Sequence, residues 1–182
     1  MPREVPQPLI EEILKAASLA PSSKNRQPWK FIVVMGEAKK QMLDVMKKGL
    51  EREKERPLLP DSAQYLGGAE QTLSTMAQAP VTIFVVNTLG LDLLCELSTD
   101  ARVFELCNAQ SIGAAMENMT LSATELGLGS LWICDTYFAH EELSHWLNTE
   151  GEFFAAMAVG YGDESPVARP RKEMIDIVEW RN

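Results

Sequence analysis

The feature that most constrains the fold of this chain is a helical segment, residues 100–126, that is apolar on nearly every face. Its apolar side chains do not follow a single stripe; they are Val103, Phe104, Leu106, Ile112, Ala115, Met116, Met119, Leu121 and Ala123. A helix of this kind is buried, either in a protein core or against a partner chain. Gly127 and Gly129 follow the segment and mark its end. The rest of the chain is therefore expected to pack around this helix.

Shorter segments of both types surround the long helix. Helical spacing of apolar residues predicts helices over residues 8–20, 37–55 and 140–147, and short apolar runs predict buried strands over residues 31–35, 81–86, 131–133 and 153–160. Residues 56–69 contain two prolines and a Gly-Gly pair, which favours an irregular excursion or lid. The tail from Pro166 is basic, and its apolar end is expected to dock as a last helix or strand: Met174, Ile175, Ile177, Val178 and Trp180.

Helices and strands alternate along the chain without an internal repeat or a visible domain boundary. This pattern predicts a single domain over residues 1–182, of the α+β or three-layer class. The formal net charge of −9 repels polyanions, so nucleic acid and anionic membrane are excluded as expected partners. The most apolar stretch, residues 112–119, is too short to span a bilayer. Three widely spaced cysteines, Cys95, Cys107 and Cys134, favour a reducing cytoplasm.

The common catalytic motifs are missing from the sequence. His140 and His145 are five residues apart and have no Cys or carboxylate partner at zinc-motif spacing. Gly127 and Gly129 follow a helix and lack the third glycine of a dinucleotide-binding fingerprint. There is no phosphate loop and no Gly-x-Ser-x-Gly elbow. Any redox or transfer chemistry would therefore have to come from a bound cofactor, and the sequence marks no catalytic acid or base.

Residues 21–29, PSSKNRQPW, are the most informative stretch for function. They gather hydroxyl, amide and cationic groups between a predicted helix and a predicted buried strand. Such a loop can present several fixed hydrogen-bonding groups to one planar ligand with a polar edge. From the residue types alone, an ordinary capped turn, in which Ser and Asn bond their own backbone, remains the alternative.

Three segments in the same order resemble the nitroreductase family. Residues 19–31, LAPSSKNRQPWKF, are similar to the family signature Ala-Pro-Ser-x-x-Asn-x-Gln-Pro-Trp-x-Phe. Residues 112–133 resemble the family's central helix and the strand that follows it. The third match comprises VGYG at residues 159–162 and RPRK at residues 169–172. The resemblance implies a central, mostly antiparallel sheet flanked by helices, in an interlocked homodimer with FMN at the subunit interface.

The resemblance also implies roles for individual residues. A first group, in the loop, would reach the FMN of the partner subunit: Pro21, Ser22, Ser23, Asn25 and Gln27. A second group would border the flavin ring, partly through backbone atoms: Leu131, Trp132 and Ile133. Arg169 and Arg171 would hold the phosphate, because guanidinium groups suit an oxyanion. From the residues alone, a solvated basic tail and core packing of Trp132 remain open alternatives.

The implied activity is hydride transfer from NADH or NADPH, through the flavin, to a small acceptor such as a nitro compound, a quinone or an enone. Two departures qualify this expectation. The family has an Arg-Arg-Ser-x-Arg segment before its first helix, where this sequence offers only Arg3, and it often has an acidic residue at the position of Ser111. One alternative is a degenerate dimeric member that binds flavin weakly or regulates without turnover. Another keeps the fold but fragments flavin or removes iodine from a substrate.

Overall fold

The structure is a computed structural model that describes residues 3–164 and 167–181. Pro166, where the basic tail was expected to begin, lies outside these residues. The described helices are α1 (Gln7–Ser18), α2 (Gly36–Glu55), α3 (Leu66–Gln78), α4 (Thr99–Glu125), α5 (His140–Leu147) and α6 (Met174–Ile177). The strands are β1 (Trp29–Val34), β2 (Val81–Asn87), β3 (Gly129–Ile133) and β4 (Glu152–Gly160), and short 3-10 helices cover Ser23–Asn25, Pro60–Tyr65 and Asp135–Ala139.

The four strands form one antiparallel sheet in the order β1-β2-β4-β3. β1 and β3 are therefore its two edges. The central strand β2 is buried along its whole length. Its register against β4 shifts between Val85 and Val86, as at a β-bulge. The apolar run at the centre of this sheet reflects the fact that both of its faces are covered.

Alternate residues of the central strands face two separate helical layers, as the period of two in a strand requires. Ile83 and Val85 pack with α1 and α4 on one face of the sheet. Phe84 points to the other face, where it packs with α2, α3 and α5. The cluster with α1 and α4 is called the first core, and the cluster with α2, α3 and α5 the second core. The expected α+β architecture of three layers with an antiparallel sheet is confirmed.

The predicted helices and strands before the tail lie where expected except around residues 56–78, but the strands predicted as buried at residues 31–35 and 131–133 are edge strands, in which only Val34 and Ile133 are buried. The expected irregular excursion ends in a 3-10 helix, and α3 begins at Leu66 in spite of Gly67 and Gly68. Burial outweighs the low helix propensity of these glycines, because Ala69 and Met76 are fully buried in the second core. The irregular part is held from α2: the buried Glu53 carboxylate accepts the backbone N–H groups of Leu58 and Leu59 at 2.9 and 2.8 Å.

Within this chain α4 is buried on one side only, and the alternative in which a partner chain covers its other side stays a prediction. Its inner side packs into the first core through Ile112, Met116 and Met119. The Asn118 side chain donates to the Ala16 carbonyl at 3.0 Å and so ties α4 to α1. The other side exposes a stripe of apolar side chains: Val103, Leu106 and Leu121 are each more than half exposed.

The described part of the tail, residues 167–181, does not dock on the rest of its own chain, and docking against a second chain stays a prediction. α6 is a single turn, and all four of its residues are exposed. Ile175 and Trp180 are each 87% exposed, and Val167 is 93% exposed. Within residues 3–164 and 167–181, no helix is long and apolar enough to cross a membrane.

Candidate flavin site

The loop of residues 21–28 leads from α1 into the edge strand β1. Three of its residues, Lys24, Asn25 and Gln27, have left-handed backbone with φ of 54°, 54° and 51°. Such a run of non-glycine residues is strained and persists only where the surroundings fix it. Ser22 provides part of that support: its carbonyl accepts from the Asn25 N–H at 2.9 Å, and its hydroxyl accepts from the Gln27 N–H at 3.0 Å.

α4 fixes the same loop from outside. The Ser23 N–H donates to the Ser111 hydroxyl at 3.1 Å, and that hydroxyl donates to the Cys107 carbonyl at 2.7 Å. The Arg26 guanidinium lies 4.1 Å from the centre of the Phe104 ring. From the sequence, Ser111 was identified only as a departure from the family pattern, and no role was predicted for Arg26. A contact between residues 88 positions apart leaves no signal in a local motif.

The loop presents an amide donor to solvent. The Asn25 side-chain oxygen accepts from the Gln27 amide at 3.3 Å, and both residues are exposed. This bond orients the Asn25 side chain so that its Nδ2 group has no acceptor among the described residues. A carbonyl or ring nitrogen of a ligand is a suitable acceptor for this group. The loop backbone is bonded internally, as in a capped turn, and the outward side chain of Asn25 keeps a donor exposed to solvent.

The three predicted residues of β3 differ in orientation. Leu131 and Trp132 are 39% and 38% exposed on the edge strand, whereas Ile133 is 2% exposed and packs in the second core. The Ile133 side chain therefore cannot border a ligand, and only its backbone is available. The Trp132 ring reaches α4, where it lies 3.9 Å from the position that a Cβ would take at Gly113. Trp132 thus packs on α4 and also remains accessible.

The cationic candidates lie in two places. Arg169 and Arg171 are exposed in the tail, where the Arg171 side chain donates to the Arg169 carbonyl at 3.4 Å. The Arg3 guanidinium lies 3.7 Å from the centre of the Tyr161 ring. Tyr161 follows Gly160, which pairs with Gly129 at the start of β3. Arg3 is therefore placed near the beginning of β3, and the tail arginines are not held in contact with the loop.

The loop and β3 lie far apart within one chain. β1 and β3 are the opposite edges of the sheet, three strand spacings apart, or roughly 14 Å. The offset along the sheet adds to this distance, because Trp29 is level with Glu152 of β4 and Trp132 is level with Met157. Five residues of strand span about 16 Å, so the two positions are roughly 20 Å apart. The structure brings the loop residues together and the β3 residues together, but it does not join the two groups.

A separate cavity of about 260 Å³ lies between α5 and the start of β4 and contains none of the predicted site residues. His140 and Glu152 line it and form a pair, with 2.6 Å between Nε2 and Oε1. Burial raises the pKa of the Glu152 carboxyl, although the charge and hydrogen bond of His140 act against this shift. The rings of His140, Tyr137 and Phe153 form a cluster, in which the His140 ring centroid lies 5.7 Å from that of Tyr137 and 5.9 Å from that of Phe153. This packing fits a structural role for the histidine and keeps the cavity distinct from the flavin candidates.

A helix–sheet–helix fold with a rigid polar loop before an edge strand defines an α+β protein with a surface suited to a planar ligand. The family model described as "Nitroreductase family" matches residues 1–161. A curated relative, "Putative NADH dehydrogenase/NAD(P)H nitroreductase" of Archaeoglobus fulgidus, is 33% identical over 72% of the chain. The chain belongs to the nitroreductase family.

Solved structures agree with the fold. A BluB-like flavoprotein from Clostridium difficile 630 superimposes with a TM-score of 0.79 and 25% identity, over 99% of this chain and 91% of that one. The FMN-dependent nitroreductase NfnB from Mycobacterium smegmatis, solved in complex with NADPH, gives a TM-score of 0.78 at 18% identity, over 100% and 91% of the two chains. The chain spans 57% of the length of the Archaeoglobus relative and 51% of a similarly named protein from Methanothermobacter thermautotrophicus.

Proposed function

We propose that this protein is an FMN-dependent NAD(P)H oxidoreductase that acts as a homodimer, with residues 1–182 working as one domain. The observation that carries the proposal is the loop of residues 21–28, which is strained, anchored to α4 and aims the free Asn25 donor at solvent. Structural relatives whose names include FMN and NADPH support the choice of cofactor.

The residues present fit the two ends of FMN. For the ring, Pro21, Ser22, Ser23 and Asn25 offer a short, rigid stretch of polar groups, while Gln27 orients Asn25. For the opposite side of the ring, the free edge of β3 offers backbone groups beside the accessible Leu131 and Trp132. For the phosphate, Arg169 and Arg171 offer exposed guanidinium groups, which bind oxyanions by charge-assisted hydrogen bonds.

The dimer follows from the separation of these groups. Trp29, where the loop ends, and Trp132 are roughly 20 Å apart across the sheet of one chain, which favours a site that a second copy completes. The exposed apolar stripe on α4, formed by Val103, Leu106 and Leu121, and the exposed tail give two chains surfaces to bury against each other. The loop of one subunit and β3 of the other would then face the same ring.

Bound FMN would supply the redox chemistry, by taking a hydride from NADH or NADPH and passing it to a nitro, quinone or enone acceptor. The chain itself holds and orients the cofactor. With FMN bound, Asn25 would donate a hydrogen bond to it, and the apolar Leu131 and Trp132 side chains would keep water away. The tail arginines would neutralise the phosphate. No side chain of the described residues is assigned as acid or base.

The visible absorption spectrum tests this proposal. The purified protein is expected to be yellow, or to take up added FMN, and NADH or NADPH should bleach the flavin under anaerobic conditions. A set of nitro, quinone and enone acceptors should then restore the colour at different rates. Absence of binding at saturating FMN, measured by calorimetry and by fluorescence quenching, would favour a degenerate member without turnover. Binding of FMN without bleaching would favour a regulatory or flavin-consuming role.

A further inference from the structure

We propose that Ser111 and Arg26 are positioning residues, which hold the flavin-facing loop in its binding conformation from α4. This inference rests on the proposed function and deepens it. Neither side chain is expected to touch the cofactor. Each acts through the loop, Ser111 through the backbone of Ser23 and Arg26 through its own place in the loop.

Ser111 is built into α4 as a buried link with both hydrogen bonds made. It is 5% exposed, and its hydroxyl accepts from the Ser23 N–H while it donates to the carbonyl one turn earlier, that of Cys107. The donated bond leaves the oxygen lone pairs directed at the loop. Removal of this oxygen would leave the Ser23 N–H without its acceptor. Ser23 stands directly before the left-handed residues Lys24 and Asn25.

Arg26 forms the second attachment. Its guanidinium packs over the Phe104 ring, on the part of α4 that precedes Ser111 by two turns. A cation over an aromatic face is attracted by the ring quadrupole, and the planar guanidinium also stacks on it. Arg26 lies between Asn25 and Gln27, which are both left-handed and hydrogen-bonded to each other. The stack therefore fixes the pair that directs the free amide donor.

The two attachments matter because the loop conformation is strained. A loop released from α4 would spend much of its time in other conformations, and only the fraction in the observed one could bind the ring. The apparent dissociation constant rises as that fraction falls. The effect applies to any ligand that contacts the loop, so FMN and riboflavin should be affected by the same factor.

The test compares Ser111→Ala with Thr124→Ala in the full-length protein. Thr124 makes the same kind of bond within α4, to the Thr120 carbonyl at 2.9 Å, but its hydroxyl bonds no residue of the loop. Three quantities are measured: FMN and riboflavin affinity, thermal stability, and hydrogen exchange of residues 22–27 without flavin. We expect Ser111→Ala to weaken both flavins about fivefold, to speed exchange in the loop and to leave most of the stability. Thr124→Ala should match the wild type. Ser111→Thr, which keeps the hydroxyl group, should bind both flavins as the wild type does.

Hydrogen exchange tests the positioning role independently of the proposed function, because it is measured without flavin. Unchanged exchange of residues 22–27 in Ser111→Ala overturns the positioning role, whatever the flavin does. If the wild type binds no FMN, the proposed function fails, and faster exchange in the variant still supports an anchored loop. Phe104→Leu removes the ring face and keeps an apolar side chain, and it should also speed exchange around Arg26. Equal changes in Ser111→Ala and Thr124→Ala would assign the effect to α4 itself and overturn the inference.

Discussion

The loop of residues 21–28 and the tail of residues 167–181 both carry proposed cofactor ligands, but they differ in how the rest of the chain holds them. The loop is strained and held by hydrogen bonds within itself and to α4. The tail contains an internal contact between Arg171 and Arg169, while Val167, Ile175 and Trp180 stand almost fully exposed. The loop is therefore organised before any partner or ligand arrives, whereas the tail lacks a surface to pack on.

This difference shows which half of the proposed site depends on assembly. Exposed apolar side chains in such number are characteristic of a surface that meets another protein. A tail covered by a second subunit would bring Arg169 and Arg171 to a fixed place. The loop would then be organised by one chain's own folding, whereas its meeting with β3 of the partner and the phosphate end would both depend on dimer formation.

The largest effect is expected when the tail loses its apolar contacts but keeps its arginines. We predict that Ile175→Asp combined with Trp180→Ala raises the dimer dissociation constant at least about a hundredfold, because two large apolar side chains no longer become buried. Light scattering across a dilution series measures this change. Tyr65→Asp is the control, since Tyr65 is exposed outside the tail and α4. A variant that remains dimeric at wild-type concentrations would show that the tail does not support assembly.

Elements with a strong periodic pattern could be predicted from the sequence to within a few residues. The long helix was expected over residues 100–126 and is observed at Thr99–Glu125. The apolar runs of β2 and β4 became the central strands, because helices cover both faces of the sheet there. The loop residues were identified as a group by a local signature, which is why the ring end of the proposed site could be predicted from the sequence.

The remaining features depend on contacts that no local pattern records. α3 contains two glycines near its start and is stabilised by burial of Ala69 and Met76, which requires knowledge of α2 and the sheet. Ile133 was grouped with Leu131 and Trp132 by the family resemblance, yet its side chain is buried in the cluster that contains Phe84 and Leu143. Ser111 gains its role from Ser23, which is distant in sequence.

The next prediction concerns the tail arginines at the phosphate end of the proposed site. We predict that Arg171→Ala weakens FMN by at least about 2 kcal/mol, or roughly thirtyfold, because few other cations are available to the phosphate. Riboflavin, which lacks the phosphate, should bind almost as before. Calorimetry with both flavins gives the two affinities, and added salt should narrow the gap between them in the wild type.

Arg181→Ala provides the matched control for this experiment. Arg181 belongs to the same tail but is paired with Glu179 at 2.8 Å. Its replacement should leave both flavin affinities unchanged. Equal losses of FMN and riboflavin in Arg171→Ala would mean that Arg171 supports the tail or the dimer and does not hold the phosphate.

The smallest effect is expected at the ring end, where Asn25 and Gln27 act as a pair. We predict that Asn25→Ala weakens FMN and riboflavin alike by about 1 kcal/mol, through loss of one hydrogen bond, and leaves the dimer intact. Asn25→Gly separates this loss from backbone strain, since glycine adopts the left-handed conformation freely. If Asn25→Gly binds flavin as well as the wild type, the side chain is not a ligand and Asn25 serves only the turn.

Gln27 should matter only while Asn25 is present, because its amide donates to the Asn25 side-chain oxygen and so orients the free donor. We therefore expect Gln27→Ala to cost less than Asn25→Ala, about twofold to threefold in affinity for either flavin. The double variant should bind no more weakly than Asn25→Ala alone. Additive losses in this double-mutant cycle would show that Gln27 contacts the flavin independently.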